Sequence, residues 1–238
     1  MRQTLLILVI GLFSFTSGAQ KTVIHDANAQ QRPVKGFHGI EVSNAINLYL
    51  SQGDEETVVV SAPDIKWRDR IRTEVVDGIL KIKLDNQHWS IGNTKLKAYV
   101  SFTTLDLLSA SGSSDIFVDG VITGEGLDIT LSGASDFKGA VNVKELKMDQ
   151  SGASDAHITG VVSDMAVFKS SGASDVKGYE LVTQSCTVHA SGASDIRITV
   201  NKDLIIEDAS GASSVFYKGD GTIRESHSSG ASTIKKSS

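Results

Sequence analysis

The chain has 238 residues, a formal net charge of −5 and one cysteine. Its 23 Lys and Arg residues form no basic block, which argues against nucleic acid as a partner because a phosphate-binding surface needs clustered cations. Cys186 has no second cysteine to pair with and is expected to be a small buried hydrophobe.

Residues 1–19 have the features of a cleavable signal peptide. Arg2 supplies the positive charge, residues 5–15 form an apolar run too short to span a bilayer, and Ser17-Gly18-Ala19 is a small-residue cleavage site. We therefore expect export to the periplasm or the cell surface. No later run reaches ~18 apolar residues, so no membrane span is expected. Residues 20–33 are polar and are predicted to be a flexible N-terminus.

Residues 34–104 are predicted to form a β-rich head region. Apolar and polar residues alternate in 46–50 and 80–84, as in half-buried strands, and Asp77-Gly78 is a hairpin signal. Residues 64–71 are the least strand-like stretch and could hold one helical turn. No Pro- or Ser-rich linker follows, so these strands are expected to stack directly on the next region. Trp67 and Trp89 are candidates for stacking on a ligand, although core or edge packing is the interpretation that we favour.

Residues 105–238 repeat a five-residue motif about every 20 residues. Its fullest form is Ser132-Gly133-Ala134-Ser135-Asp136. A fixed period of this length is typical of a solenoid, in which each repeat forms one coil. We predict an all-β protein, a single-stranded β-helix of about seven coils with the head continuous with it. The glycines of the motif, which should form the turns, are Gly112, Gly133, Gly152, Gly172, Gly192, Gly211 and Gly230.

The motif also predicts where the core lies. The residue four positions after each glycine is apolar in every copy, so these seven residues should form one internal column: Ile116, Phe137, Ala156, Val176, Ile196, Val215 and Ile234. In the turn itself, glycine supplies backbone freedom and serine and aspartate hydrogen-bond the backbone. The alanine of the motif is expected to be the small inward side chain.

Five aspartates share one position of the repeat and should stack along one edge: Asp115, Asp136, Asp155, Asp175 and Asp195. The interpretation that we favour is a row of solvated turn residues that hydrogen-bond the backbone. The alternative is a weak Ca²⁺ site, because Ca²⁺ prefers carboxylate oxygens. One carboxylate per coil offers few ligands for each ion. No other metal, cofactor or catalytic pattern stands out, since the six histidines lack ligand spacing and no nucleophile or phosphate-binding motif is present.

Three head segments and the serial repeats carry a resemblance to a known family. The segments are residues 37–42 (FHGIEV), 45–53 (AINLYLSQG) and 77–82 (DGILKI). Together with the repeats they resemble the putative auto-transporter adhesin family with the head GIN domain, although the Gly-Ile-Asn triplet is here Ala45-Ile46-Asn47. The resemblance implies an exported, right-handed β-helix with a role in adhesion. It supplies no catalytic residues and no cofactor.

The hypothesis that we favour is a non-enzymatic surface or periplasmic protein that acts as an adhesin or binds a carbohydrate or protein partner. The alternative is a β-helix polysaccharide lyase or hydrolase. The glycine gaps are all 19–21 residues, which leaves little room for loops that build a cleft, so an enzymatic site would have to lie in the head. A flat ice- or surface-binding array is disfavoured because regular threonine rows are lacking. The partner, whether a glycan or a cell-surface protein, and any oligomer stay open.

Overall fold

The computed structural model describes residues 13–17, 20–24, 26, 28–85 and 94–238, with side chains for residue 26 and from residue 28 onward. Most of the predicted signal peptide and all of residues 86–93 lie outside this part of the chain. The first elements are β1 (Phe13–Ser17), β2 (Gln20–Ile24), β3 (Gln30–Arg32), β4 (Gly39–Val42), β5 (Ile46–Gln52), β6 (Thr57–Ser61), α1 (Ile65–Arg68), β7 (Ile71–Val76), β8 (Ile79–Leu84) and β9 (Leu96–Phe102).

The repeat region consists of strands that pair in parallel with the next coil. They are β10 (Leu107–Ala110), β11 (Ile116–Leu131), β12 (Phe137–Gln150), β13 (Asp155–Ser170), β14 (Asp175–Ala190), β15 (Asp195–Ala209), β16 (Ser214–Lys218), β17 (Thr222–Ser228) and β18 (Thr233–Lys236). Six turns of about 20 residues relate the seven glycine motifs. The prediction of an all-β solenoid is therefore confirmed.

The predicted internal column is confirmed in register and in burial. Ile116 pairs with Phe137, and the same register continues through every coil to Ile234. Six of these seven side chains are at most 1% exposed, and Ile234, in the last coil, packs on the core while partly exposed. Cys186 is likewise buried, opposite Ala166 and Leu204 in the neighbouring coils.

Most coils consist of one long bent strand and a glycine turn, whereas the coil after Gly211 has two strands, β16 and β17. β11 to β15 run for 14–16 residues and bend where the register shifts, as between Val143 and Glu145. We call the part of each coil that leads into the glycine turn the entry face and the part that leaves it the exit face. The core lies between these two faces.

The glycine turns stack on one another, but the inward side chain is not the predicted one. Ala153 N–H donates to the carbonyl of Gly133, 2.8 Å away, and the same bond recurs in the following coils. Ala153 itself is exposed, whereas Ser154 is fully buried, and its Oγ donates to the carbonyl of Ser151 at 3.1 Å. The prediction of an inward alanine was wrong. A serine fits this position because its hydroxyl can pair with the turn backbone while buried.

The head is continuous with the solenoid, as predicted, but its coils do not follow chain order. β4 pairs in parallel with β8 on one side and with β10 on the other, and β5 lies likewise between β9 and β11. The coil of β4 and β5 comes first in the chain and yet lies second in the stack. Antiparallel strands cover the end beyond it: β7 pairs with β8, and β6 and then β3 extend β9. Residues 30–32, within the stretch predicted to be flexible, thus form an edge strand.

This arrangement makes residues 103–106 cross over the β4–β5 coil. Gln52 holds the crossing. Its Nε2 donates to the carbonyls of Thr103 and Thr123 at 3.0 and 3.1 Å, and its Oε1 accepts from the N–H of Thr123 at 2.7 Å. His38 Nδ1 lies 2.8 Å from an oxygen of Asp106 at the end of the same segment. These side-chain contacts fix a connection that has no strand partner of its own.

Ala45, which stands where the Gly-Ile-Asn triplet has glycine, lies in a turn with a left-handed backbone conformation. Asn44 and Ala45 have φ of 65° and 58°, so the turn between β4 and β5 is left-handed. Ala45 N–H donates to the carbonyl of Gly112 at 3.1 Å, which joins this turn to the stacked glycine turns. Glycine would adopt this conformation without steric cost, whereas an alanine there costs about 1–2 kcal/mol.

Among the described residues no helix has the length and apolar character needed to cross a bilayer. The single helical turn, α1, falls in the segment 64–71 where the sequence allowed one, and the Asp77-Gly78 hairpin between β7 and β8 is present.

Candidate functional site

One column of side chains follows the buried column by a single residue and points outward on the exit face. Because each member is in register with the next, the column runs the length of the solenoid. Its first three members are aromatic and most of the others are basic. In spatial order they are Tyr99, Tyr49, Phe117, Lys138, His157, Lys177, Arg197, Phe216 and Lys235.

The aromatic part of this column is a stack. The ring centroids of Tyr99 and Tyr49 are 5.0 Å apart and those of Tyr49 and Phe117 are 5.2 Å apart, with interplanar angles of 20° and 21°. Tyr49 therefore has a ring on either side. Phe117 ends the stack, and its second face points along the solenoid toward the coil of Lys138.

The five aspartates stack beside the column, as the sequence predicted. Asp155 accepts at 3.0 Å from Nζ of Lys177, and Asp195 accepts at 2.8 Å from the guanidinium of Arg197. The Asp136 carboxylate also accepts from the N–H of Asp155, at 3.0 Å. Each of these contacts offsets the repulsion between stacked carboxylates.

The titration behaviour follows from these contacts. Burial raises the pKa of Asp115, and the neighbouring Asp136 charge adds to the rise, while a hydrogen bond from the Asp136 N–H opposes it. The hydrogen bond and charge of Asp155 raise the pKa of Lys177. The row is thus held by backbone N–H groups and by cations of the outward column. Among the described residues no group of three or more His, Cys, Asp or Glu side chains converges on one point.

We expect the aspartate row to be indifferent to calcium. Its carboxylates already accept from backbone N–H groups, Lys177 and Arg197, so Ca²⁺ would have to displace these partners. Millimolar Ca²⁺ should raise the melting temperature no more than Mg²⁺ does. A selective Ca²⁺ shift that disappears in the Asp155→Asn, Asp175→Asn double variant would establish the metal-bridged alternative.

Two bulges interrupt the register between neighbouring coils on the exit face. Between Phe117 and Val121, β11 has two more residues than β12, so residues 118–120 bulge. Between Gly178 and Val182, β14 has three more residues than β15, so residues 179–181 bulge as well. β12 and β13 lie between them in unbroken register over the same face. Bulges of this kind are local features that re-aim side chains and often adjoin binding sites.

The surface between the bulges is a shallow trough. Two adjoining depressions of about 370 and 440 Å³ occupy it, and His157 lines both. We define the exit-face trough by its floor of Lys138, Ala140, His157 and Thr159 and by the bulges at 118–120 and 179–181. Phe117 lines it on one side and Tyr179 on the other. Small side chains on the floor leave the space between these rings open.

The two basic side chains on the floor of the trough have no partners among the described residues. Neither Lys138 nor His157 makes a hydrogen bond or an ion pair within residues 28–85 and 94–238, and both are exposed. Lys177 and Arg197, farther along the column, are by contrast paired with Asp155 and Asp195. The sequence did not predict that His157 lies in a trough.

The structure describes only one of the two tryptophans that the sequence predicts as a ligand-stacking pair. Trp67 lies on α1, partly buried against the core, and the Arg70 guanidinium is 4.8 Å from its ring centre. Trp89 lies outside the described residues, so a joint role of the two stays a prediction. The predicted glycine turns are all found at positive φ, from 62° at Gly112 to 83° at Gly152 and Gly172.

Residues 36–221 match the family model of the putative auto-transporter adhesin, head GIN domain. The chain belongs to this family. The matched range covers the head, the outward column from Tyr49 to Phe216 and the whole trough, so the head and the repeats belong to a single family unit. The resemblance seen in the three head segments and the repeats is thereby confirmed. No curated protein matches the chain.

Solved structures with the same architecture share the fold of this GIN-domain protein. A putative adhesin from Bacteroides fragilis superposes with a TM-score of 0.78 at 24% identity, over 87% of this chain and 95% of that one. A putative lipid binding protein from Parabacteroides distasonis gives a TM-score of 0.68 at 18% identity, over 88% and 96%. A putative adhesin from Parabacteroides distasonis gives 0.64 at 20% identity, over 88% and 96%. At these identities the likeness concerns the fold.

Proposed function

We propose that this GIN-domain protein is an exported, non-catalytic binding protein that holds a carbohydrate on the exit-face trough, at the cell surface or in the periplasm. The observation that carries the proposal is the trough itself, an open depression with Lys138 and His157 unpartnered on its floor. Two aromatic side chains flank it. Aromatic rings beside a few placed polar groups are the usual composition of a ligand site.

The wider setting supports binding at a surface. The family model is that of a putative auto-transporter adhesin, and the trough lies on a stack of coils whose inner columns are buried. A rigid scaffold lowers the entropy that a ligand site loses on binding. Pairing of Lys177 and Arg197 with aspartates leaves Lys138 and His157 as the donors that are free to contact a ligand.

The alternative function is a polysaccharide lyase or hydrolase with its site in the head. The His38–Asp106 pair is the head contact that most resembles a catalytic pair, and His38 Nδ1 lies 2.8 Å from the Asp106 carboxylate. That carboxylate belongs to the crossing segment, and the N–H of Asp106 also donates to the carbonyl of His38. These two contacts suit a role in fixing the crossing better than one in proton transfer.

A polysaccharide panel scored for both binding and cleavage tests the proposal. The purified protein should retain one or more glycans reversibly and should release no reducing ends or shortened chains from them. Cleavage that disappears in the Asp106→Asn variant would establish the enzymatic alternative. The absence of retention across plant, bacterial and host glycans would count against carbohydrate as the partner.

A further inference from the structure

We infer that the exit-face trough takes a neutral, hydroxyl-rich glycan segment that runs parallel to the strands, between the two bulges. The inference rests on the proposed function and specifies its ligand. It follows from the charge balance of the trough, from the direction in which its floor continues, and from the free face of the Phe117 ring.

The charge balance disfavours a polyanion. The cations that line the trough are Lys138, Lys177 and Arg197, and its carboxylates are Asp175 and Glu180. Two of the cations are already neutralised, because Lys177 pairs with Asp155 and Arg197 with Asp195.

The negative charge around the trough also disfavours a polyanion. Asp136 and Asp155 lie two residues before Lys138 and His157, and the chain as a whole carries a net charge of −5. A negatively charged chain would meet this row of carboxylates at close range, where repulsion is strongest. Sugar hydroxyls instead both donate and accept, so they can use the cations and the carboxylates together.

The shape of the trough sets the direction of the ligand. Along the solenoid axis the floor lies between the 118–120 bulge and the 179–181 bulge, and on the second side the depression extends over β14 to Arg197. Along the strands the floor continues without a bulge from Lys138 to Asn142 and from His157 to Val161, and Val161 is 42% exposed. Two neighbouring strands at the usual spacing make a floor about 10 Å wide, which suits one sugar chain.

The Phe117 ring has one covered face and one face toward the trough. Tyr49 stacks on Phe117 from the side away from the trough. The Tyr179 side chain is engaged in the other direction along the solenoid, because its hydroxyl lies 2.9 Å from Oγ of Ser237 and Nζ of Lys218 lies 4.9 Å from its ring centre. The remaining face of Phe117 can pack on the C–H groups of a sugar ring, whereas the Tyr49 ring, stacked on both sides, offers only its edge.

The test compares neutral and acidic oligosaccharides of equal length by calorimetric titration. The probes are manno- and cello-oligosaccharides against oligogalacturonates. We expect a neutral series to bind, with a dissociation constant that changes by no more than about two-fold between about 0.05 and 0.5 M NaCl, because no net charge is neutralised. Preference for the oligogalacturonates with steep salt dependence would overturn the inference and leave the carbohydrate function intact. Failure of every oligosaccharide to bind would contradict the proposed function itself.

Matched variants locate the site. Lys138→Ala and His157→Ala should each weaken binding of the neutral probe by about ten-fold, the loss of one hydrogen bond in a partly desolvated site. Lys169→Ala and His189→Ala change the same residue types on the entry face and should leave affinity unchanged. Equal effects of the two pairs would refute the trough as the site.

A second pair tests the direction. Asn142→Trp fills the end of the trough that lies along the strands and should weaken binding strongly. Asn201→Trp places the same bulk on an exposed asparagine of β15, three coils away, and should have no effect. Unchanged affinity in Asn142→Trp would exclude a ligand that runs parallel to the strands.

Discussion

Replacing Phe137 with alanine should lower the free energy of unfolding by about 3–5 kcal/mol, the range for a buried phenylalanine. Phe137 is 1% exposed and lies between Ile116 and Ala156 in the internal column. Ala156 is too small to move into the space that the ring would leave. The coils are also fixed by ladder hydrogen bonds, so the cavity would stay open. Urea unfolding followed by circular dichroism measures the loss.

Phe216 provides the matched control. It lies on β16, one residue after Val215 of the internal column, and points outward, partly exposed, with the Arg197 guanidinium 5.5 Å from its ring centre. Phe216→Ala should cost about 1 kcal/mol or less, since little area and one weak cation–π contact are lost. A Phe137→Ala loss as small as that of the control would mean that the internal column is not the core.

The internal column could be predicted because its signal repeats. Seven apolar residues at one distance from seven glycines leave only one side of the coil for the core, and stacking then places Phe137 beside Ala156. Burial of Cys186 follows from the same logic, because it occupies a position held by leucine in other coils. An error about one position of the motif likewise recurs in every coil. The choice of alanine as the inward side chain was wrong because it rested on the small size of the side chain, whereas a hydrogen bond to the turn backbone decides between Ala153 and Ser154.

The order of the head coils could not be predicted. Strand patterns in residues 34–104 show that strands exist, but their partners depend on which coil the chain visits next. Gln52, which holds the crossing, reads in sequence as one polar residue of a turn. The placement of the β4–β5 coil between later segments leaves no trace in a local pattern, because each parallel pair joins residues far apart in the chain.

The sequence did not predict the trough, because its two bulges hardly change the spacing of the motif glycines. The 118–120 bulge does leave a signal, since the gap from Gly112 to Gly133 is 21 residues and the next gap is 19. The 179–181 bulge adds three residues to β14 relative to β15, but β15 has one extra residue in each of two later places, so the gap from Gly172 to Gly192 is only one residue longer than the gap from Gly192 to Gly211. The even spacing of the motif glycines predicts little room for a cleft on the repeats. The structure shows that compensating bulges can shape a depression without a long insertion.

Replacing Gly172 with alanine should be at least as damaging as the loss of Phe137, at about 3 kcal/mol or more. Gly172 has a φ of +83°, which costs a non-glycine residue about 1–2 kcal/mol. In addition, its Cβ would collide with the carbonyl oxygen of Gly152 and lie 3.0 Å from the nitrogen of the same residue. That carbonyl accepts the 2.8 Å hydrogen bond from Ala173 N–H that joins the two turns, so relief of the collision breaks a ladder bond.

Gly120 separates the two contributions. It has almost the same φ, +85°, but no atom lies within 4 Å of where its Cβ would be. Gly120→Ala should therefore cost only the conformational part, about 1–2 kcal/mol. Urea unfolding of both variants measures the difference, which is the steric cost of separating two stacked turns. Similar losses in the two variants would show that the glycines are needed for their backbone conformation alone, and that the distance between coils at the turns does not require them.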